Sequence, residues 1–352
     1  MKWTELFEVL QKKLRDGAYP SGVPLPSEVS LVRKYHVSRI TVARAMNELR
    51  RMGLVWRKRG SGTFATASAC REGGRLGLIL PSLASGEVFP PICQALARFA
   101  QKDGFSLLLG DMPAEDTQAS ADRLNDLVQT YVAQKVVGVI FQPLALLQSS
   151  DDVTARALTL LDRAGIRVVL IDRDFRMPGL KHDFVGIDNF TAGRDVGEHL
   201  IARGARRVAF LMRPRSPTVI RDRYDGVMSA VGPCRAKTDL IVANPSDVRT
   251  LSMLFRGKSR PDAVVCESDY VALCFRNVLS RMGLSVPEDV KLVGFNDGRY
   301  ATASSPPLTT VHQPCEEIAF VAYQSLRERL RDPSAPAKRI LLPADLVVRA
   351  ST

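Results

Sequence analysis

The sequence of 352 residues has few of the features that mark exported and membrane proteins. Its six cysteines are scattered without a C-x-x-C pair, which argues for reduced thiols rather than a disulfide framework. The longest charge-free apolar stretch, residues 136–150, is interrupted by glycine, proline and glutamine and is shorter than the roughly 20 residues that a membrane helix needs. The N-terminal segment carries Glu5 and Glu8 and shows no signal-peptide cleavage site. We therefore expect a cytoplasmic protein without a membrane segment.

Motifs of catalytic sites are missing as well. The sequence contains no G-x-S-x-G nucleophile elbow, no G-x-x-x-x-G-K-[ST] phosphate loop and no G-x-G-x-x-G after a predicted strand. The four histidines (His36, His182, His199 and His312) show no metal-ligand spacing with cysteine or aspartate. The sequence thus predicts neither an enzyme nor a bound metal or cofactor.

Positive charge is concentrated near the N-terminus. Residues 1–66 hold 13 Lys and Arg against 5 Asp and Glu, and so contribute +8 of the net charge of +12. A compact basic module joined to a nearly balanced body is the distribution expected of a nucleic-acid-binding protein, although a merely soluble basic surface would have the same charge.

The first 66 residues carry the pattern of three helices and a hairpin. Apolar residues recur at helical spacing over residues 3–14, and Ser27 can cap a second helix over residues 28–35. Ser38 can cap a third helix that ends before Gly53, a residue suited to a left-handed helix end. Two short β-type runs joined by a glycine-containing turn follow. Together these elements predict a winged helix-turn-helix.

The third helix has a face suited to DNA. Opposite its apolar side lie Ile40, Arg44 and Asn47, where an apolar side chain can meet a thymine methyl group and the polar ones can contact base edges. The alternative is a solvated face with one stray apolar residue. The hairpin tip favours DNA binding, because its consecutive cations Arg57, Lys58 and Arg59 suit contacts with phosphates or the minor groove.

Residues 21–65 closely resemble the winged helix of the GntR family of bacterial repressors. The resemblance lies in the motifs L-P-S-E, V-S-R-x-T-V and G-x-G-T-F, which occur here in that order. It implies DNA contacts from Ser38, Arg39 and Thr41 at the start of the recognition helix and from Arg59 and Gly60 in the wing.

After a small, polar linker at residues 67–74, short β-type runs alternate with amphipathic helical patterns. This alternation predicts parallel sheets with helices on both faces, and the length of the segment favours two doubly wound sheets over one. The predicted fold class is therefore an α+β winged helix-turn-helix followed by two α/β subdomains.

Polar residues directly follow several of the predicted strands, where ligands of such sheets bind. They are Pro81-Ser82, Asp172-Arg173, Asp188-Asn189, Glu267-Ser268-Asp269 and Asn296-Asp297. Carboxylates, amides and arginine that converge on one cleft suit a ligand with many hydroxyl groups, such as a sugar. For Asp188 and Asp269, a helix N-cap is the alternative role.

The body resembles the effector domain of the LacI/GalR family. The motifs V-V-L-I-D-R, V-G-I-D-N-F-T-A-G, R-D-R-Y-D-G, L-V-G-F-N-D and P-L-T-T-V-H-Q-P occur in the order of that family, and the resemblance runs from about residue 75 to 350. It implies a fold related to periplasmic sugar-binding proteins and a homodimer. Residues at or beside the family's ligand positions are Phe89, Asp172, Arg173, Arg223, Ser268 and Asn296.

These observations predict three parts of the chain: a DNA-binding domain at residues 1–66, the linker at 67–74, and an effector-binding and dimerisation domain at 75–352. Within the last, the expected first subdomain is about 75–186 plus 300–331, and the second is about 187–297 plus 338–350.

The predicted function is a dimeric transcriptional regulator, most simply a repressor, that binds a palindromic operator under control of a small-molecule effector, with a sugar as the favoured class. The alternatives are a regulator that senses a nucleobase or nucleoside, and an enzyme of nucleotide-sugar or hydride chemistry, against which the missing phosphate loop argues.

Overall fold

The computed structural model describes residues 2–15, 18–19, 24–58, 61–66, 74–81, 86–113, 118–144, 150–175, 182–214, 216–234, 237–256 and 260–352. Among these residues, no helix is both long and apolar enough to cross a lipid bilayer.

The N-terminal module is a winged helix-turn-helix, as predicted. Its elements are α1 (Trp3–Arg15), α2 (Glu28–Tyr35), α3 (Arg39–Arg51), β1 (Val55–Lys58) and β2 (Gly62–Ala65). The strands β1 and β2 pair antiparallel, with Trp56 opposite Phe64. The three helices bury leucines around one small core, to which Leu6, Leu10, Leu31 and Leu49 contribute.

The two predicted caps fix the ends of the helix-turn-helix. The Ser27 hydroxyl accepts from Ser30 N at 3.1 Å, and the Ser38 hydroxyl accepts from Thr41 N at 3.2 Å. Each cap satisfies an amide that a helix start leaves without a partner. After α3 the chain turns at Gly53, whose φ of 68° is in the left-handed region.

The first of two six-stranded sheets is parallel throughout and has the strand order β13-β7-β6-β5-β3-β4. Its strands are β3 (Arg75–Pro81), β4 (Ser106–Met112), β5 (Gly138–Phe141), β6 (Arg167–Ile171), β7 (Asp183–Ile187) and β13 (Arg339–Leu342). One apolar core joins it to α4 (Phe89–Lys102) and α12 (Cys315–Arg331), and a second core joins it to α5 (Gln118–Ala133) and α6 (Ser150–Arg163).

The second sheet has the order β14-β12-β11-β10-β8-β9 and is parallel except for its edge strand β14. Its strands are β8 (Arg207–Met212), β9 (Lys237–Val242), β10 (Ala263–Cys266), β11 (Lys291–Asn296), β12 (Thr309–His312) and β14 (Leu346–Val347). The helices that cover it are α7 (Asn189–Ala202), α8 (Thr218–Val231), α9 (Val248–Leu254), α10 (Asp269–Arg281) and α11 (Arg299–Ala303). The fold class predicted from the sequence is therefore confirmed.

Two predicted subdomain segments are wrong in part. The sequence predicts that residues 300–331 belong to the first subdomain, yet β12 pairs with β11 in the second sheet, and only α12 returns to the first. It predicts that residues 338–350 belong to the second, yet β13 pairs with β7 of the first sheet. The reason is that the chain crosses between the sheets near residue 313 and again between β13 and β14, so each predicted segment contains a crossing.

Helices α7 and α8 approach each other closely at glycines. A Cβ atom on Gly193 would overlap the carbonyl oxygen of Arg223, and one on Gly226 would overlap that of Phe190. Only glycine permits this backbone contact, so the close packing of α7 and α8 fixes the backbone position of Arg223 beside the second sheet.

Candidate functional site: a DNA-binding surface and a ligand cleft

The exposed side of α3 carries the residues predicted to read DNA. The side chain of Ile40 is 79% exposed, and Arg39, Arg44 and Asn47 are exposed as well. An apolar side chain this open to water on a helix otherwise rich in charge is the arrangement that a major-groove contact uses. Ser38 lies at the start of the same helix as its cap.

The aromatic rings of the module support this surface. The Arg44 guanidinium carbon lies 5.5 Å from the centroid of the Trp3 ring, so α1 helps to orient Arg44. In the hairpin, the rings of Trp56 and Phe64 stack at 5.0 Å.

The wing presents cations at its strand end. Arg57 and Lys58 are both exposed at the end of β1, as a strand laid along phosphates requires. The predicted contacts Arg59 and Gly60 lie outside the described residues.

In the body, the first side of the cleft is built at the ends of β5 and β6. Asp172 follows the last residue of β6 with a φ of 64°, and its carboxylate accepts from Gln142 Nε2 at 2.7 Å. Arg173 Nη1 donates to the carbonyl of Pro143 at 3.2 Å. Phe89 begins α4 and packs, half-buried, against the core of the first subdomain.

Arg223 on α8 is the centre of the second side. The resemblance to the LacI/GalR family implies a ligand position here, and the structure buries the residue to 3% exposure. Its Nε donates to Asn189 Oδ1 at 2.8 Å, its Nη1 donates to the Glu267 carbonyl at 2.9 Å, and its guanidinium carbon lies 4.4 Å from the Phe295 ring centroid. Burial lowers the pKa of Arg223 to about 10, and the charges of Asp172 and Glu267 act in the opposite direction. Arg223 is therefore a buried cation held by the second subdomain, near enough to Asp172 of the first for that carboxylate to favour its charged form.

The three consecutive polar residues 267–269 have different roles in the structure, as a helix cap or as buried hydrogen-bond acceptors. Ser268 caps α10 by accepting from Val271 N at 3.3 Å, while Asp188 caps α7 by accepting from Thr191 N at 3.0 Å. The Glu267 carboxylate, 1% exposed, accepts from the Arg213 backbone N–H at 3.1 Å.

Asp269, predicted as a cleft residue with a helix N-cap as its alternative role, is not the cap of α10, which is Ser268; it is a buried carboxyl. It accepts from Thr310 Oγ1 at 2.6 Å and from Gly298 N at 3.0 Å. Burial raises the pKa of Asp269 to about 7, and the nearby charge of Glu87 adds to the rise. Its position just after the apolar strand β10 is the pattern from which the sequence predicts it near the ligand.

Asn296 and Glu87 meet where the two subdomains face each other. Asn296 has a φ of 114° and accepts from Gln313 Nε2 at 3.0 Å. Glu87, which precedes α4 of the first subdomain, hydrogen-bonds Asn296, and a Cβ on Gly298 would overlap its Oε1. Burial raises the pKa of Glu87. Sequence analysis missed Glu87 because it follows no predicted strand.

The cleft thus combines carboxylates, amides and one held arginine that come from both subdomains. Such a mixture of charged acceptors and donors can bind the hydroxyl groups of a small polar ligand. A winged helix joined to a two-lobed ligand-binding body defines the class of ligand-responsive transcriptional regulators.

Comparisons with known proteins agree with this class. Residues 3–65 match the family described as bacterial regulatory proteins, gntR family, and residues 198–352 match the periplasmic binding protein-like domain. An "Arabinose metabolism transcriptional repressor" of Geobacillus stearothermophilus is 25% identical over 100% of this chain and 97% of its own length. A "Probable opine utilization operon repressor" of Rhizobium rhizogenes is 34% identical over 47% of this chain and 90% of its own length.

A solved structure, the "transcriptional regulator CelR-cellobiose complex", shares the fold with a TM-score of 0.67 at 21% identity; the match covers 93% of this chain and 100% of that one. The chain belongs to the family of bacterial regulators that join a GntR-type winged helix to a periplasmic-binding-protein-like domain. It is a DNA-binding transcriptional regulator.

Proposed function

We propose that this chain represses transcription by binding an operator, and that a sugar bound between its two subdomains controls that binding. The observation that carries the proposal is that Asp172 follows a strand of the first sheet and Arg223 lies on a helix of the second, yet the Asp172 carboxylate is near enough to raise the pKa of Arg223 against the effect of burial. No direct hydrogen bond joins the two among the described residues. A polyol between them would have a charged partner on each side, and each charge-assisted bond contributes about 1.5–3 kcal/mol.

The binding residues of the cleft are part of the same proposal. Asp172, Arg223 and Asn296 bind the effector directly, Arg173 and Ser268 position the loops beside it, and Phe89 offers an aromatic surface at the start of α4. The relatives named for arabinose metabolism and the structure with cellobiose support a saccharide.

The DNA contacts belong to the winged helix. We assign base reading to Ile40, Arg44 and Asn47. Ser38, Arg39 and Thr41 hold the start of the recognition helix on the backbone, and the exposed wing cations Arg57 and Lys58 bind phosphates. Arg59 and Gly60 extend the wing contact.

A homodimer on a palindromic operator completes the proposal, since two winged helices at a fixed spacing read two half-sites. A sugar that favours one angle between the subdomains then changes that spacing by a shift in population. In sedimentation, residues 75–352 should remain dimeric and residues 1–70 should be monomeric. The opposite distribution would contradict this arrangement.

The regulator acts in the cytoplasm and performs no chemical step on its effector. The test is a thermal-shift screen of the full chain against arabinose, ribose, cellobiose, an opine, adenine and NAD. A sugar should raise the melting temperature, and the compound should be recovered unchanged after incubation. A shift with adenine alone would favour the nucleobase alternative, and turnover of NAD would favour the enzyme.

A further inference from the structure

Gly53 of the winged helix lies against the side chain of Arg331 in the body. The side chain of Arg331, the last residue of α12, lies against Gly53, so that a Cβ atom there would be 2.6 Å from Arg331 Nε and 3.0 Å from Nη2. Arg331 is half-buried. Burial lowers the pKa of its guanidinium, and the positive charge of Arg327 lowers that pKa further. The φ of 68° at Gly53 favours glycine, and the missing side chain leaves room for the Arg331 guanidinium.

Gly53 lies between the recognition helix and the wing, the two elements to which we assign the DNA contacts. It joins the end of α3 to β1, and the Thr66 hydroxyl, which is buried, donates to the carbonyls of Gly53 at 2.9 Å and Leu54 at 3.1 Å. The recognition helix, the first wing strand and the end of the second are thus tied together at this turn. A side chain pressed against Gly53 acts on all three.

The other end of α12 lies at the effector cleft. Gln313, two residues before the helix, donates to the side chain of Asn296 at 3.0 Å. Cys315 is the first residue of α12. Burial raises the pKa of its thiol to about 11, and the nearby Asp172 carboxylate adds to the rise. Both neighbours, Asn296 and Asp172, are residues we assign to the effector.

Between its ends α12 is continuous and packed against the first subdomain along its length. It has 17 residues, which corresponds to a rod of about 25 Å, and its apolar face is buried in the core of the first subdomain through Ile318, Tyr323, Leu326 and Leu330. Asp103 further ties it to α4, by accepting from the Tyr323 hydroxyl at 2.8 Å and from Arg327 Nη1 at 3.2 Å. A helix packed in this way would move as one body, so a displacement at Cys315 would also shift Arg331.

We propose that α12 connects the effector cleft to the winged helix, and that Arg331 is the positioning residue that holds the winged helix against the body at Gly53. The proposal rests on the proposed function for its regulatory meaning, but the contact itself is independent of which ligand binds. Effector binding would change the position of the Arg331 side chain at Gly53. The orientation of the recognition helix would change with it.

The contact can be tested without any ligand, because the two tryptophans of the chain, Trp3 and Trp56, both lie in the winged helix. In the full chain, Arg331→Ala should release the module, and the fast component of the tryptophan anisotropy decay should at least double in amplitude. The matched control is Arg98→Ala, an exposed arginine that pairs with Glu316 at 2.8 Å, and it should behave as the unaltered chain. An unchanged decay in Arg331→Ala, with unchanged melting of the body, would overturn the contact.

The regulatory role is tested with arabinose as the probe. Arabinose should bind Arg331→Ala with its normal affinity in calorimetry, yet change operator affinity at least fivefold less than in the unaltered chain. An equal change in both proteins would overturn the role of Arg331. If arabinose binds neither protein, the same comparison is made with the sugar that the thermal-shift screen identifies, and an equal change of operator affinity in both proteins again overturns the role.

Discussion

Asn189 holds Arg223 in place: its side-chain oxygen accepts from Arg223 Nε at 2.8 Å, and both residues are buried. The pair joins the first residue of α7 to the middle of α8, the two helices that meet at Gly193 and Gly226. Arg223 is therefore both a structural residue and a candidate ligand contact, and substitutions must separate the two roles.

Asn189→Ala should destabilise the protein, since it leaves a buried guanidinium N–H without an acceptor. We expect the free energy of unfolding to fall by about 1–3 kcal/mol. Urea unfolding measures this, with Asn47→Ala as the control at an exposed asparagine on α3. A stability equal to that of the control would show that water replaces the bond and that Asn189 does not hold Arg223.

Asp172→Asn should weaken effector binding without lowering the stability of the free protein. The amide oxygen can still accept from Gln142, so the melting temperature of the free protein should stay the same, while the lost charge should reduce effector affinity by roughly tenfold to a hundredfold. Calorimetric titration with the sugar found by the screen measures the affinity. The control is Asp195→Asn, at an exposed carboxylate on α7. A lowered melting temperature with normal affinity would make Asp172 a structural residue only.

Arg44→Ala and Lys58→Ala should weaken DNA binding in different ways. Loss of a bidentate base contact costs about 1–3 kcal/mol, so Arg44→Ala should lower affinity for the operator far more than for unrelated DNA. Lys58→Ala should weaken binding to both and reduce the slope of log affinity against log salt by about 1. Fluorescence anisotropy with both duplexes across a salt series distinguishes them. Equal losses on both duplexes for Arg44→Ala would remove it from base reading.

Asp269 should make stability depend on pH between about pH 4 and pH 7. Its pKa is about 7 in the folded protein against 3.8 ordinarily, so in this window the folded state keeps a proton that the unfolded chain has lost. Stability therefore falls as pH rises, by up to about 1.4 kcal/mol per pH unit. Asp269→Asn should flatten this slope in urea unfolding at pH 5, 6 and 7. The same slope in both proteins would show that Asp269 is ionised throughout.

Much of the fold follows from the sequence because its signals are local. The alternation of apolar runs with amphipathic segments predicts the strands that end before Asp172 and Glu267, and Ser38 predicts its cap directly. Which sheet a crossing strand joins is decided by distant partners, so Arg339–Leu342 and Thr309–His312 could not be assigned from periodicity.

The cleft was predictable in part for the same reason. Residues after strands, such as Asp172, can be found from pattern, whereas Glu87 enters the cleft from a loop and is placed by Gly298 of the other subdomain. The burial of Arg223 could not be predicted from local pattern, because its partners Asn189 and Glu267 lie 34 and 44 residues away in the chain.

The central claim is that a sugar in this cleft controls binding of DNA by the winged helix. The most direct measurement is the affinity of the full chain for an operator selected from random duplexes, with and without the sugar found by the screen, in the unaltered chain and in Asp172→Asn. The sugar should change the dissociation constant of the unaltered chain by at least tenfold, and the same concentration should leave Asp172→Asn nearly unchanged. A sugar that binds the cleft and leaves operator affinity the same in the unaltered chain would contradict the account.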